Sequence, residues 1–357
     1  MGLPKINIIF KEKANKFISV SQKGTIAVIL IDALAELAGA HIINKDAEID
    51  SVLEKLGDEN KAYLHRAFLG YVKKPTKMIV YVQADGDNLT AALEYMATQQ
   101  FDYLVGPESC TAEQAKAIKE WVISQTDNDL IAKAVLPDTA ADNPHIINFA
   151  TSGIKADGNT YTAAQYCSRV AGLIIGTPIE QSCTNAPLTE VTDITRLSKD
   201  GSDAAIDAGK LILVWDGEKV KVARGITSFT TITDTMGDSF KKIKIVEAVD
   251  TIKKDLKLMI DDDYIGKYPN TYLNKLVLIT AVKEYFGALE KQGVLKSGYT
   301  VDLDTDAIKE YLYSKHVDAD AMSDKEIREA DTGSNVFIAA SIKILDAIED
   351  VTINIGM

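Results

Sequence analysis

Between residues 77 and 176 apolar runs of two different periods take turns, and that alternation restricts the chain to few folds. "KMIVYVQA" (77–84), "FDYLVG" (101–106), "LIAKAVLP" (130–137) and "HIINFAT" (145–151) have the length and composition of strands. Between and after them, "NLTAALEYMATQQ" (88–100), "TAEQAKAIKEWVISQT" (111–126) and "TYTAAQYCSRVAGLIIG" (160–176) carry apolar residues at helical spacing, with Asn88 and Thr111 placed as N-caps. Upstream, "TIAVILI" (25–31) reads as a buried strand, and a helical stretch follows around 46–70. Strands alternating with helices imply a largely parallel sheet covered by helices. An α/β domain is expected over residues 21–180.

The remainder has a different character. "LILVWDGEKVKVARGITSFTT" (211–231) reads as two strands about an Asp216-Gly217 turn. Residues 239–266 lead into a helix, and 270–295 form a second, long one, with Leu273, Leu276, Val277, Thr280, Val282, Tyr285 and Leu289 on its apolar face. "NVFIAASIKILDAIEDV" (335–351) is a helix, or a strand that turns into one. This gives an α+β domain over residues 181–345. Both ends carry strand-like alternation: Ile6, Ile8 and Phe10 against Lys5 and Asn7, and Val351, Ile353 and Ile355 against Thr352 and Asn354. We assign them to extended arms, 1–20 and 346–357. The fold class is α/β plus α+β: two domains with extended N- and C-terminal β arms. The charged "KEKANK", Gly24 and "DAIEDV" beside those strands suit flexible joints.

Chemistry is hard to find in this chain. With 357 residues and 46% apolar content there is material for two or three domains. A net charge of −13 argues against general affinity for nucleic acid or anionic membranes. Cys110, Cys167 and Cys183 are odd in number and lack a CxxC spacing, which fits buried free thiols in a reducing compartment. Lysines stand where a signal peptide would be apolar, and no run reaches membrane-spanning length, so we expect a soluble protein made in the cytosol. Phosphate loops, dinucleotide fingerprints, nucleophile elbows and HExxH are all missing.

His41, His65, His145 and His316 are scattered and unpaired. "DLDTDA" (302–307) starts like a calcium loop, but Ala307 replaces the turn glycine and Tyr313 the last carboxylate, so it reads as an acidic turn. "DDDY" (261–264) reads as a solvated face at a helix exit, or else as a patch for a basic partner. The loops at Gly86 and Gly106 follow strands, where an open α/β sheet would place a small ligand such as a nucleotide, and an enzyme reading would have to use that crevice. Neither loop carries a nucleophile–base pair or phosphate-cradling glycines. No catalytic, cofactor-binding or metal-binding residue is assigned.

From "AAQYCSRVAGLIIGTPIEQSCTNAPLTEV" (163–191) onward the chain resembles the contractile tail sheath proteins of phages and phage-tail-like bacteriocins. The likeness lies in a helix with "AGLI.GTP" and in a Ser-x-Thr-Asn-x-x-Leu connector. It continues through "AGKLILVWDGEKVKVARGITSFTT" (208–231), where Ser228 and Phe229 stand in place of the commoner Asn-Thr-Leu. The Tyr-Ile-Gly-Lys and Asn markers of 264–274 are intact, "GLPKINIIFKEKA" and "IEDVTINIGM" fit the ends, and the likeness is weakest over 40–160. The short length is similar to the compact sheaths of Gram-positive prophages and R-type bacteriocins.

The resemblance implies a structural, non-enzymatic subunit without a cofactor. It would form hexameric rings stacked helically on an inner tube protein, with baseplate and tail terminator proteins as further partners and no nucleic acid or membrane bound by the subunit. Assembly would take place in the bacterial cytoplasm, and the particle would be released on lysis. The arms would add strands to neighbouring subunits, through Ile6, Ile8, Phe10, Val351, Ile353 and Ile355. A C-terminal helix over "SIKILDAIED" (341–350) would offer Lys343, Asp346, Glu349 and Asp350 as candidate tube contacts.

Overall fold

A computed structural model describes residues 20, 21, 23–84, 88–127 and 130–356. It contains two compact units, Gln22–Ile252 joined by Ile344–Met357, and Lys253–Lys343 joined by the stretch ending at Ser21. Residues 181–252 therefore pack with the α/β part of the chain.

The larger unit is organised by β1 (Thr25–Ile31), which pairs in parallel with β3 (Lys77–Gln83) on one side and β4 (Tyr103–Val105) on the other. Beyond β4 follow β5 (Ala134–Pro137), β6 (Ile146–Phe149) and β10 (Lys210–Leu211), all parallel, while β2 (Gly39–Ile43) closes the opposite edge antiparallel to β3. Ile26, Val28 and Leu30 of β1 join one apolar cluster with α2 (Asp58–Phe68), α5 (Ala163–Ile175) and Ile49 of α1 (Ile49–Val52). Ala27 and Ile29 join the other, with α3 (Thr90–Met96) and α4 (Ala112–Asp127). A strand covered on both faces needs an unbroken apolar run, which "TIAVILI" supplies.

Smaller pieces complete the unit. β7 (Ile154–Ala156), β8 (Asn159–Tyr161) and β9 (Val191–Asp193) form an antiparallel sheet, and α6 (Lys199–Asp207) follows. β11 (Leu213–Trp215) and β12 (Val220–Val222) make the expected hairpin. Gly217 adopts φ +108, and Asp216 accepts from the N–H groups of Glu218 and Lys219, both at 3.0 Å. Those bonds hold the Asp216 carboxyl down to about 2.

The "AGLI.GTP" motif has a packing cause. A Cβ on Gly172 would lie 2.0 Å from the Ala67 carbonyl oxygen of α2, and one on Gly176 would lie 2.2 Å from that of Lys73. Hydrogen bonds accompany the close approach: Ser168 Oγ donates to the Tyr63 carbonyl at 2.7 Å, and Arg169 Nη1 to that of Gly70 at 2.8 Å. Gly24 is equally enclosed. Its N–H donates to Asp102 at 2.7 Å and a Cβ would meet Thr76 Oγ1 at 2.3 Å, so it is a packed position rather than a joint.

α7 (Ile243–Asp263) starts in the larger unit, and its residues from Lys253 on belong to the smaller one. There follow α8 (Tyr272–Lys291), β13 (Thr300–Leu303), α9 (Thr305–Ser314), α10 (Asp324–Glu329) and β14 (Ile338–Ser341). β13 and β14 pair antiparallel as a two-stranded sheet, Leu303 opposite Ile338. The buried face of α8 differs from the expected one. Lys275, Leu278, Ile279, Val282, Tyr285, Phe286 and Leu289 are buried, whereas Leu273 is 71% and Val277 51% exposed. "LVLI" (276–279) is apolar all round, so its periodicity does not select a face and the tertiary partners do.

The Asn marker here is a polar fastener, and so is Lys275 after it. Asn270 Nδ2 lies 2.7 Å from the Gly333 carbonyl and 2.9 Å from that of Asn335, and buried Lys275 reaches Thr332 Oγ1 at 3.1 Å. Within the "DLDTDA" turn Asp304 caps α9 and Asp302 takes a two-pronged bond from Arg328.

The expected helix over 341–350 is absent: β14 ends at Ser341 and the chain runs on in irregular form. Such a helix would put Glu349 and Asp350 at its negative end, which opposes it. Nor do residues 351–356 form a strand within the subunit.

Gly172→Ala is expected to destabilise the protein by about 2 kcal/mol or more, because the new methyl meets backbone and outweighs a helix-propensity gain of about 1 kcal/mol. Thermal unfolding beside Ala171→Gly, which loses only propensity and a small contact, checks this. A neutral Gly172→Ala would refute the close-approach explanation.

Candidate functional site

The polar centre of interest lies where the C-terminal segment leaves the larger unit. Glu349 is the middle of it. Its Oε1 accepts from Ser182 Oγ at 3.0 Å and from Thr184 Oγ1 at 2.5 Å. Its Oε2 lies 3.4 Å from Arg224 Nη1 and 3.4 Å from Lys242 Nζ. On either side Asp346 pairs with Lys242 and Asp350 with Arg224. Ser182 and Thr184 are the Ser-x-Thr of the connector. Thr184 Oγ1 also accepts from the Gly225 N–H at 2.8 Å, and that glycine packs so tightly on Cys183 that a Cβ would lie 2.7 Å from its Sγ.

The environment favours charge on these groups. The hydrogen bond that Arg224 donates to Asp350 raises the guanidinium pKa, and although burial opposes it, Asp346 and Glu349 raise that of Lys242. Exposed pairs contribute roughly 0–1 kcal/mol each. The hydroxyl bonds to the enclosed Glu349 carboxylate contribute about 1.5–3 kcal/mol each before ordering costs. Of the assigned acids, then, Asp346, Glu349 and Asp350 come together around two cations, and "DAIED" is tied down rather than a free joint. Past Asp350 that changes abruptly: Val351 is 70%, Ile353 75% and Ile355 83% exposed. Ile6, Ile8 and Phe10 lie outside the described residues.

The Gly106 loop that an enzyme would use is closed. The Gly106 carbonyl accepts from buried Tyr63 OH at 3.1 Å, a Cβ there would meet Cys110 Sγ at 2.9 Å, and Gln165 Nε2 donates to Glu108 at 2.5 Å. Gly86 lies outside the described residues. Among the described residues no three His, Cys, Asp or Glu side chains are arranged to hold a metal ion. Cys167 and Cys183 are buried, and burial pushes the Cys183 and Cys110 thiols up to about 12.

Residues 83–228 match the family described as phage tail sheath protein central domain, and residues 235–357 the phage tail sheath C-terminal domain. The tail sheath protein of Clostridium phage phiCD119 is 39% identical over 362 residues, covering 100% of this chain and 99% of that one. The chain belongs to the phage tail sheath family. It is similar in fold to the sheath tail protein of Desulfitobacterium hafniense, with TM-score 0.72 at 16% identity over 84% of this chain and 94% of that one. The helical sheath of the anti-feeding prophage in its contracted state gives TM-score 0.74 at 14% identity over 100% and 99%. This sheath protein is a structural subunit of a contractile tail, a component of virion-like particles, and not an enzyme.

A dense buried charge cluster of the sheath protein has a structural task. Glu247, on the first half of α7, accepts from Lys133 Nζ at 2.7 Å and from Tyr103 OH at 2.6 Å, with Lys23 Nζ 3.3 Å away. Asp250, one turn on, lies 3.3 Å from Lys133 and 3.1 Å from His145 Nε2. The scattered sequence positions of the histidines hid that contact. Lys23, Tyr103, Lys133 and His145 stand at the N-terminal ends of β1, β4, β5 and β6, the end of a parallel sheet opposite to the one where ligands bind.

Burial alone would raise the Glu247 carboxyl. Lys133 and Lys23 overcome it and hold the carboxyl at about 2, while Glu247 and Asp250 outweigh burial and raise Lys133. A carboxyl lowered from 4.5 to about 2 contributes stability that is complete above pH 4.5 and lost as the pH falls towards 2. The amount is on the order of 3 kcal/mol.

Glu247→Gln is expected to cost about 3–5 kcal/mol at pH 7, since it strips a buried pair of its anion. It should also flatten the fall of Tm with acid between pH 4.5 and 2 relative to wild type. Parallel Tm–pH curves for the two proteins would sink this account of the cluster.

Proposed function

We propose that the subunits of this sheath are joined by exchange of terminal β-strands. The observation that carries this reading is the stretch 351–356, an alternating apolar segment held in water with no hydrogen bond among the described residues. An exposed amphipathic strand is an aggregation hazard when left free and a joint when paired. A receptor of the right kind exists in the β13–β14 pair, since two strands alone are marginal and both outer edges are open among the described residues. Ile6, Ile8 and Phe10 are assigned the same role on their sequence pattern. Such contacts run head to tail and generate an open helical tube.

By analogy with the anti-feeding prophage sheath, this chain forms hexameric rings stacked helically around an inner tube protein, between baseplate and terminator proteins. The energy of contraction lies in two packings of the same subunits and needs no nucleotide. The particle assembles in the bacterial cytoplasm and leaves on lysis. For the tube contact, Lys343, Asp346 and Asp350 have surface to offer, the two acids at 44% and 77% exposure. Glu349, at 7%, does not and supports the others from within.

Negative-stain microscopy tests this, with the full chain and a chain ending at Asp350 each co-expressed with the neighbouring tube protein. We expect striated cylinders from the first and dispersed subunits from the second. Cylinders from both would rule out strand exchange through Val351, Ile353 and Ile355.

A further inference from the structure

The Glu349 cluster fixes the point at which the C-terminal segment becomes free, and this has a consequence for how far an exchanged strand can reach. From Leu345 to Asp350 the chain has no helix, strand or bridge to hold it. What holds it is side chains: Asp346, Glu349 and Asp350 on Lys242, Arg224, Ser182 and Thr184. Ile348, between these anchors, is 89% exposed and contributes no packing, and of the apolar residues only Leu345 and Ala347 are half-buried, so the attachment is mainly polar. Val351 is the first residue beyond it.

We propose that this cluster is a releasable clasp that sets the length of the C-terminal tether, with Glu349 as its positioning residue. The inference rests on the strand-exchange reading. Closed, the clasp frees the seven residues 351–357, which span at most about 25 Å when extended. Open, it frees the thirteen residues from Leu345 on, which span at most about 47 Å. A paired strand can then stay in register in its neighbour while the two bodies move apart. The yielding element is the clasp and not the ladder.

The chemistry suits that task. A mainly polar attachment with half-exposed cations is replaced by water on opening, so release uncovers little apolar surface beyond the half-buried Leu345 and Ala347. The Arg224 and Lys242 side chains are 34% and 29% exposed, open enough for water to take over from the carboxylates. The enclosed Glu349 carboxylate, engaged by all four partner residues, makes opening a single event rather than a gradual peeling.

Hydrogen exchange tests the clasp, first in the free full-length subunit. Amides of 346–350 should exchange at least tenfold more slowly than those of 351–356. Glu349→Ala, or about 1 M NaCl on the unchanged protein, should remove that difference while leaving the exchange of β1 as it was. Equal exchange across 344–356 in the unchanged protein would overturn the clasp, as would indifference to both perturbations.

The second measurement compares extended with contracted cylinders of the unchanged chain on its tube. Protection of 346–350 should be present in one state and lost in the other. Equal protection in both states would overturn the tether role. The stretch 351–356 reports separately on strand exchange: protection in both states supports it, and lack of protection in cylinders would overturn that reading whatever 346–350 does.

Discussion

One carboxylate without access to water, Glu247, organises the larger unit. It draws Lys23, Tyr103 and Lys133 from three separate strand starts onto a single turn of α7. An apolar contact there would tolerate sliding. A buried anion does not, because every misplacement leaves a charge unpaired in a medium of low dielectric. The first half of α7 is thereby located against the starts of β1, β4, β5 and β6. The same helix end contributes Lys242 to the C-terminal attachment, so the residue that anchors the arm stands one turn from those that anchor the sheet.

That arrangement sits beneath an α/β sheet of ordinary ligand-binding topology whose customary ligand end is taken up in part by the protein itself. Tyr63 on α2 and Gln165 on α5 fill the loop after β4 with their own hydrogen bonds, and the thiols beside them are held protonated by burial. The charged groups with strongly displaced equilibria in this unit's core, Glu247 and Lys133, sit at the opposite end, where they serve cohesion. Perturbed ionisation marks function only where a substrate can reach the group. Here the 2% exposure of Glu247 decides for structure.

How much of this was legible in the sequence depended on the range of the interaction. β1 covers the stretch "TIAVILI", and the β11–β12 turn falls at Asp216-Gly217, because a short apolar run and a turn dipeptide are local signals. The buried face of α8 was misread at Leu273 and Val277, since four successive apolar residues suit any face. The irregular course of 342–350 was missed altogether. Its cause is Ser182, Thr184, Arg224 and Lys242, more than a hundred residues away, and no periodicity records such partners. The Ser-x-Thr connector was visible as a family-like motif, but its purpose, two hydroxyls aimed at one distant carboxylate, was not. Similarly Asp142 holds the "TSFTT" run by accepting from the Thr230 and Thr231 amides at 2.7 and 2.9 Å, a reason for that motif that only the fold supplies.

The free C-terminal strand follows from a balance of small terms. Burying Val351, Ile353 and Ile355 contributes about 1.5–3 kcal/mol each, and ordering a residue of backbone costs about 1–2 kcal/mol. For seven residues the two nearly cancel, so the segment has no reason to fold onto its own subunit, and its exposure there is the equilibrium outcome. A ready sheet edge in another copy adds a ladder of hydrogen bonds and moves the balance modestly towards pairing. One such joint is weak. On the strand-exchange proposal every subunit of a sheath would be tethered to several others, and loss of one strand would leave its partner held nearby at high effective concentration. Weak joints in that number would withstand a large rearrangement because each could re-form before its neighbours let go.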